Sequence, residues 1–210
     1  KELLIGVTNF FRDPPAWEQL KERAIPALIA SKPKGSSLRV WTPGCSTGEE
    51  AYSLAIVFKE ALDLIKPKGN YSLQIFATDL NRDAVDKARQ GVYPPNIATD
   101  VSPERLKKFF VRNESGNYQV AKDIREMVVF AVQNVIMDPP FTKLDILICR
   151  NLLIYLVPEI QKNILSLFHY SLNPGGILFL GSAETIVSHI DLFTPLENKW
   201  RIYRRKESLR

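Results

Sequence analysis

With only two cysteines and two histidines among 210 residues, the chain has little capacity for disulfide or metal chemistry. Cys45 and Cys149 cannot form a disulfide framework, and neither His169 nor His189 has a ligand-spaced partner, so no metal is expected. The longest uncharged apolar run near the middle is residues 152–157, far short of the ~20 residues that span a bilayer, so no membrane insertion is expected. There is no initiator methionine and no apolar leader. The expectation is a piece of a longer multidomain chain in a reducing cytoplasm. Positive charge is also scarcer than the net +5 suggests, because the last seven residues carry +3 of it and leave +2 for the rest. That is too little for a nucleic-acid face, and no nucleic-acid partner is expected.

What remains is an ordinary globular composition, 45% hydrophobic and 24% charged, able to bury a full core without staples. Strands alternate with helices along it. Leu38–Trp41, Leu73–Thr78, Val128–Val132, Leu144–Cys149, Ile177–Leu180 and Trp200–Tyr203 read as strands. Ala51, Leu54, Ala55, Phe58 and Leu62 recur at helical spacing, and Ile160, Ile164, Leu167 and Phe168 form one face of a later helix. Asn81 is placed to cap a helix that Gly91 closes, and Ser102-Pro103-Glu104 opens another. Leu144–Cys149 is apolar enough to be buried on both faces. This pattern predicts an α/β fold with an open, mainly parallel sheet of seven strands, the last antiparallel. Residues 1–35 read as an N-terminal helical segment packed on a catalytic domain of residues 36–210. Alternation around the turn Asn113–Asn117 predicts a small antiparallel β insert at about 110–129.

In such sheets ligands bind beyond the carboxyl ends of the strands. After the first strand comes Thr42-Pro43-Gly44-Cys45-Ser46-Thr47-Gly48-Glu49-Glu50, whose two glycines allow close approach to the backbone. Asp79, after the second, is placed to hydrogen-bond both hydroxyls of a ribose. The loop is not G-x-G-x-x-G, and its two acids would repel a pyrophosphate, which counts against a dinucleotide or ATP. Acids suit a nucleoside bearing positive charge, and S-adenosylmethionine, with its sulfonium and ammonium groups, is that kind of ligand.

The run Val40-Trp41-Thr42-Pro43-Gly44-Cys45-Ser46-Thr47-Gly48-Glu49-Glu50-Ala51-Tyr52-Ser53 resembles the signature of CheR-type chemotaxis receptor methyltransferases. So do Thr8-Asn9-Phe10-Phe11-Arg12-Asp13, Phe76-Ala77-Thr78-Asp79, Cys149-Arg150-Asn151-Leu152-Leu153-Ile154-Tyr155 and Pro174-Gly175-Gly176, in the family's order. The resemblance implies a Rossmann-like fold that transfers methyl from S-adenosylmethionine to receptor glutamates. The products are γ-glutamyl methyl esters and S-adenosylhomocysteine, and the partner is a methyl-accepting chemotaxis receptor or a related signalling protein.

It also implies site residues. Thr8 and Arg12 match the N-terminal site segment, with Arg12 near the methyl-transfer centre. Gly44 lies in the cofactor loop, and Glu49 matches the acid at the methionine ammonium end, a role adjacent Glu50 can share or take. Asp79 matches the ribose acid, and Asn134 and Val135 the adenine-flanking pair. Cys149 and Arg150 match the end of strand four, and Tyr155 the tyrosine facing the acceptor. Arg12, Arg150 and Tyr155 are thus the expected catalytic residues. The family often has a polar residue where Gly6 stands, and the insert's turn, Arg112 to Tyr118, is short. Two alternatives stand beside this reading. Asp138-Pro139-Pro140-Phe141 resembles the motif of amino methyltransferases, although it precedes strand four and reads as a turn. The other alternative is a non-catalytic domain that binds cofactor or receptor.

Overall fold

The computed structural model describes residues 8–186 and 190–207; Gly6 and His189 lie outside them. Asp13, in a left-handed conformation, precedes helix α1 (Pro14–Gln19), where Pro14 sits in a first turn that needs no N–H donor. A π-helical turn, Leu20–Ala24, leads without a break into α2 (Ile25–Ala30). Pro26 explains the wide turn. It has no N–H to give the preceding turn, and its ring would crowd a regular helix. The rod buries Trp17, Leu20, Ile25 and Leu28, and each of the three aliphatic side chains contributes roughly 1.5–3 kcal/mol.

Strand β1 (Ser37–Pro43) leads into α3 (Glu49–Ile65), then β2 (Ser72–Asp79) and α4 (Arg82–Gln90). As expected, Asn81 caps α4 by accepting from the Ala84 N–H at 3.2 Å, and left-handed Gly91 closes it. Next come β3 (Val92–Tyr93), α5 (Pro103–Phe109), β4 (Phe110–Arg112), β5 (Tyr118–Val120), α6 (Lys122–Arg125) and β6 (Val128–Val132). Then follow β7 (Leu144–Cys149), a 3-10 turn at Leu153–Tyr155, α7 (Pro158–Ser171), β8 (Leu172–Leu180), β9 (Phe193–Glu197) and β10 (Ile202–Arg205).

The main sheet has seven strands in the order β6-β2-β1-β7-β8-β10-β9. The first five in that order run parallel, and β10 is antiparallel to both neighbours. The chain leaves β1 outward through β2 and β6 and returns on the other side with β7. The switch point therefore falls between β1 and β7, where a crevice opens beyond the carboxyl ends. Every residue of β7 is buried, which accounts for its apolar run. Its one acid, Asp145, pairs with Lys32 and accepts from the Arg39 N–H at 2.9 Å and from Asn173 at 3.1 Å.

The structure differs from the sequence expectation in four places, the smallest being the last strand, which runs Ile202–Arg205 rather than Trp200–Tyr203 because Trp200 and Arg201 form the turn before it. Strand β8 begins at Leu172 rather than Ile177, across a register shift against β7. Phe193–Glu197 forms a strand that no alternation announces, because only Phe193 is buried and Pro195 interrupts the donors. The antiparallel sheet is not a lone hairpin. Val92–Tyr93 pairs with β5, giving three strands in the order β3-β5-β4.

Candidate functional site

The loop between β1 and α3 is fastened to the end of β2. The Cys45 N–H donates to the Thr78 carbonyl at 2.9 Å, and the Ser46 N–H donates to Asp79 Oδ2 at 2.8 Å. Asp79 Oδ1 accepts from the Asn81 N–H at 2.9 Å. The carboxylate is thus oriented by two backbone donors. Each oxygen keeps a second lone pair, and the residue is only half-buried. Gly44 and Gly48 are both left-handed. A Cβ on Gly44 would come 3.0 Å from Leu152, and one on Gly48 2.9 Å from the Ala88 Cβ and 3.1 Å from the Phe130 ring. Ser46 holds φ 48° without the freedom of glycine, strain of the kind that concentrates in binding loops.

Glu49 and Glu50 diverge because successive helical residues point about 100° apart. Glu49 accepts from the Thr47 hydroxyl, whose own carbonyl accepts from the Tyr93 hydroxyl at 2.7 Å. Burial pushes its carboxyl up, and the Thr47 bond opposes that. Glu50 lies in the field of Arg150, Glu184 and Arg12. Its carboxyl is pushed up to about 7, first by burial and further by Glu184, with the two arginines pulling it down. Of the two acids, Glu50 is therefore the one turned toward the expected transfer residues.

The N-terminal segment is sewn onto this loop. The Phe11 N–H donates to Ser53 Oγ at 3.0 Å, and that hydroxyl donates to the Glu49 carbonyl at 2.7 Å. Phe11 and Asp13 hold φ 49° and 58°, so Arg12 sits between two left-handed residues. The Arg12 carbonyl accepts from Trp17 Nε1 at 2.9 Å and from Arg150 Nη1 at 2.7 Å. Arg150 is buried over the Phe179 ring. It also donates to Asp13 Oδ2 at 2.6 Å and to the Leu180 carbonyl at 3.4 Å. The Arg12 side chain is exposed and, among the described residues, forms no salt bridge or hydrogen bond. The two expected arginines thus differ. Arg150 is a tether of the N-terminal segment, and Arg12 presents an open guanidinium on an immobilised backbone.

Of the other expected residues, Cys149 ends β7 and Asn134 follows the end of β6. Thr8 is half-buried at the start of the described chain. The Cys149 side chain is sealed inside the sheet, and Cys45 is buried in a different core cluster, so the two thiols stay free. Burial drives both thiols well above their ordinary range. Asn134 opens a turn after β6. Its Oδ1 accepts from the Ile136 N–H at 2.9 Å, and its own N–H donates to Asp138 Oδ2 at 2.7 Å. Val135 is half-buried beside it. Tyr155 is 60% exposed on the 3-10 turn.

The rival motif is occupied structurally. Asp138 closes the Asn134 turn, and Phe141 stacks on Phe76 with ring centroids 4.5 Å apart. His169 is buried against Phe193, far along α7 from this edge, with Nε2 3.2 Å from the Lys206 carbonyl. A cavity of about 410 Å³ lies elsewhere, at the opposite end of the sheet between α2 and the start of β8, lined by Lys32, Pro174, Gly175 and Arg204 among others. It holds none of the chemistry above.

One residue escaped the sequence reading. Glu184, only 2% exposed, accepts from the N–H groups of Leu152, Leu153 and Gly181 at 2.9, 2.7 and 2.7 Å. Its signal was an acid shortly after strand Ile177–Leu180, in the same kind of position as Asp79 after β2.

Residues 6–202 match the family described as CheR methyltransferase, SAM binding domain. The chain is 43% identical over 205 residues to an uncharacterized 104.1 kDa protein in the hypE 3′ region of Rhodobacter capsulatus, covering 97% of this chain but 21% of that one. It is 35% identical over 202 residues to chemotaxis protein methyltransferase 1 of Pseudomonas aeruginosa, covering 95% of this chain and 73% of that one. With chemotaxis protein methyltransferase 2 of Vibrio cholerae the identity is 33% over 187 residues, covering 88% of this chain and 64% of that one. The chain thus spans about a fifth of the Rhodobacter relative and roughly two thirds to three quarters of the other two. Among the described residues no helix is long and apolar enough to cross a membrane.

Proposed function

Because this chain belongs to the CheR methyltransferase family, whose domain binds S-adenosylmethionine, we propose that it methylates glutamate side chains of a chemotaxis receptor or related signalling protein. The products are γ-glutamyl methyl esters and S-adenosylhomocysteine. The observation that carries the reading is the carboxylate of Asp79 at the carboxyl end of β2, oriented by two backbone amides, on the same side of the sheet as the end of β7, where Arg150 clamps the Arg12 backbone and leaves its guanidinium open.

The residues present suit the cofactor. Asp79 has free lone pairs for two ribose hydroxyls, Gly44 keeps the loop backbone approachable, and a pair of acids replaces a phosphate cradle. Bound there, S-adenosylmethionine supplies an electrophilic methyl on a sulfonium. In this reading Glu50 receives the ammonium end, with Glu49 held by Thr47 as its neighbour, and Asn134 and Val135 flank the adenine. Thr8, Cys149 and Arg150 complete the wall, Cys149 through its backbone because its side chain is sealed.

A glutamate carboxylate has a pKa of about 4.3 and arrives ionised, so the chain needs no general base. Its work is orientation. Arg12 holds one or both carboxylate oxygens through its planar fork, and Tyr155 adds a hydroxyl donor from the far side. Arg150 acts by keeping the Arg12 backbone in place. The setting we propose is a reducing cytoplasm, within a longer polypeptide as in the Rhodobacter relative.

The test is incubation with radiolabelled S-adenosylmethionine and membranes carrying candidate receptors. Label released as a volatile product by mild base supports glutamyl ester formation. Base-stable label in protein points to an amine or amide product and refutes it.

A further inference from the structure

We infer that Glu184 is a positioning residue for methyl transfer, fixing the turn that carries Tyr155 against the end of β8. The role rests on the function proposed above. The 3-10 turn Leu153–Tyr155 begins with amides that have no partner inside the turn, as at any helix start. Glu184 supplies the acceptor from another strand end. Oε1 takes the Leu152 and Leu153 N–H groups, and Oε2 takes the Gly181 N–H. One buried carboxylate therefore bridges two loops through three charge-assisted bonds.

The junction has no slack. A Cβ on Gly181 would lie 2.7 Å from Asn151 Oδ1, 2.9 Å from the Asn151 nitrogen and 3.0 Å from Glu184 Oε2. Asn151 holds φ 61°, turning the chain sharply between Arg150 and the Tyr155 turn. Arg150 fixes the near side of that turn by donating to the Leu180 and Arg12 carbonyls, and Glu184 fixes the far side. The Tyr155 side chain is exposed and has no hydrogen-bond partner among the described residues, so its position is set by its backbone. That backbone is set by Glu184.

The test is Glu184→Gln, which keeps the shape but has only one accepting terminal oxygen, so either the Gly181 amide or the Leu152–Leu153 pair loses its acceptor. The expected result at saturating receptor is a kcat loss of about tenfold or more, with S-adenosylhomocysteine affinity by calorimetry changed less than about threefold. Tyr155→Phe added to Glu184→Gln should cost less than it does in the wild-type background, because both act through one side chain. A general structural role would not produce that coupling. Wild-type kcat in Glu184→Gln, equal losses in kcat and affinity, or multiplicative effects of the two substitutions would each overturn the inference.

If Glu184→Gln does not fold, hydrogen exchange on the wild-type protein decides. The Leu152 and Leu153 amides should be as protected as those of β7, and exchange at loop rates would overturn the inference. Absence of any receptor ester from the wild-type protein would refute the function itself, and with it this role, whatever the variant does.

Discussion

The buried guanidinium of Arg150 donates to the backbone carbonyl of Arg12 at 2.7 Å, so one arginine fixes the other's main chain and leaves its side chain in solvent. The two should separate cleanly by mutation. Arg12→Ala is expected to lower methyl transfer by on the order of ten- to a hundredfold and leave the urea midpoint nearly unchanged. Arg150→Ala removes one of the two donors to the Arg12 carbonyl and the ion-pair partner of Asp13, empties a buried site over the Phe179 ring, and is expected to cost about 3 kcal/mol in urea unfolding. Equal destabilisation by both would contradict the division of labour.

Asp79 offers a direct test of the ribose contact. Asp79→Ala removes the acceptor for the Ser46 and Asn81 amides as well as for the sugar. Affinity for S-adenosylhomocysteine by calorimetry should fall about ten- to a hundredfold, the worth of hydrogen bonds to a charged group. Unchanged affinity would remove Asp79 from the cofactor.

Glu50 gives a pH prediction. Its carboxyl stands at about 7 in the folded protein against an ordinary 4.5, chiefly through burial. A carboxyl raised on folding binds its proton more tightly in the folded state. Ligand-free stability should therefore decline as pH rises from about 4.5 through about 7, with no further loss from this group above that range. An ammonium group beside Glu50 favours the ionised form, so cofactor binding near pH 7 should release about half a proton. Titrations in two buffers of different ionisation enthalpy measure that release, and Glu50→Gln should abolish it.

Gly48 and Gly175 are both left-handed, at φ 94° and 74°, but only Gly48 is crowded. Gly175→Ala, with nothing within 4 Å of the new methyl, should cost about 1 kcal/mol of backbone strain. Gly48→Ala adds a clash with Ala88 and Phe130 and should cost roughly 2–4 kcal/mol. Thermal unfolding of the two variants checks the order.

Much of this architecture is legible in the sequence because local chemistry and global fold agree. The run Leu144–Cys149 is apolar because β7 has strands on both sides and a core on each face. Asn81 and Gly91 mark the ends of α4 because those ends need a side-chain acceptor and a left-handed residue. Local pattern cannot reveal partners chosen by tertiary packing. Val92–Tyr93 becomes a strand only because β5 lies beside it. The same limit hid the use of Arg150, whose acceptors Arg12 and Asp13 lie at the other end of the chain. It hid Glu184, whose meaning depends on amides some thirty residues earlier. For Glu49 and Glu50 the sequence located the acids, and the helical rotation between them decides which one faces Arg12 and Arg150.

The most direct measurement is tandem mass spectrometry of a receptor cytoplasmic fragment treated with this protein and S-adenosylmethionine. The account predicts a single added methyl on defined glutamate side chains, removed by mild alkali and formed about ten- to a hundredfold more slowly when Arg12→Ala replaces the wild type. Methyl groups found on lysine, glutamine or nucleic acid, with glutamate untouched, would contradict it.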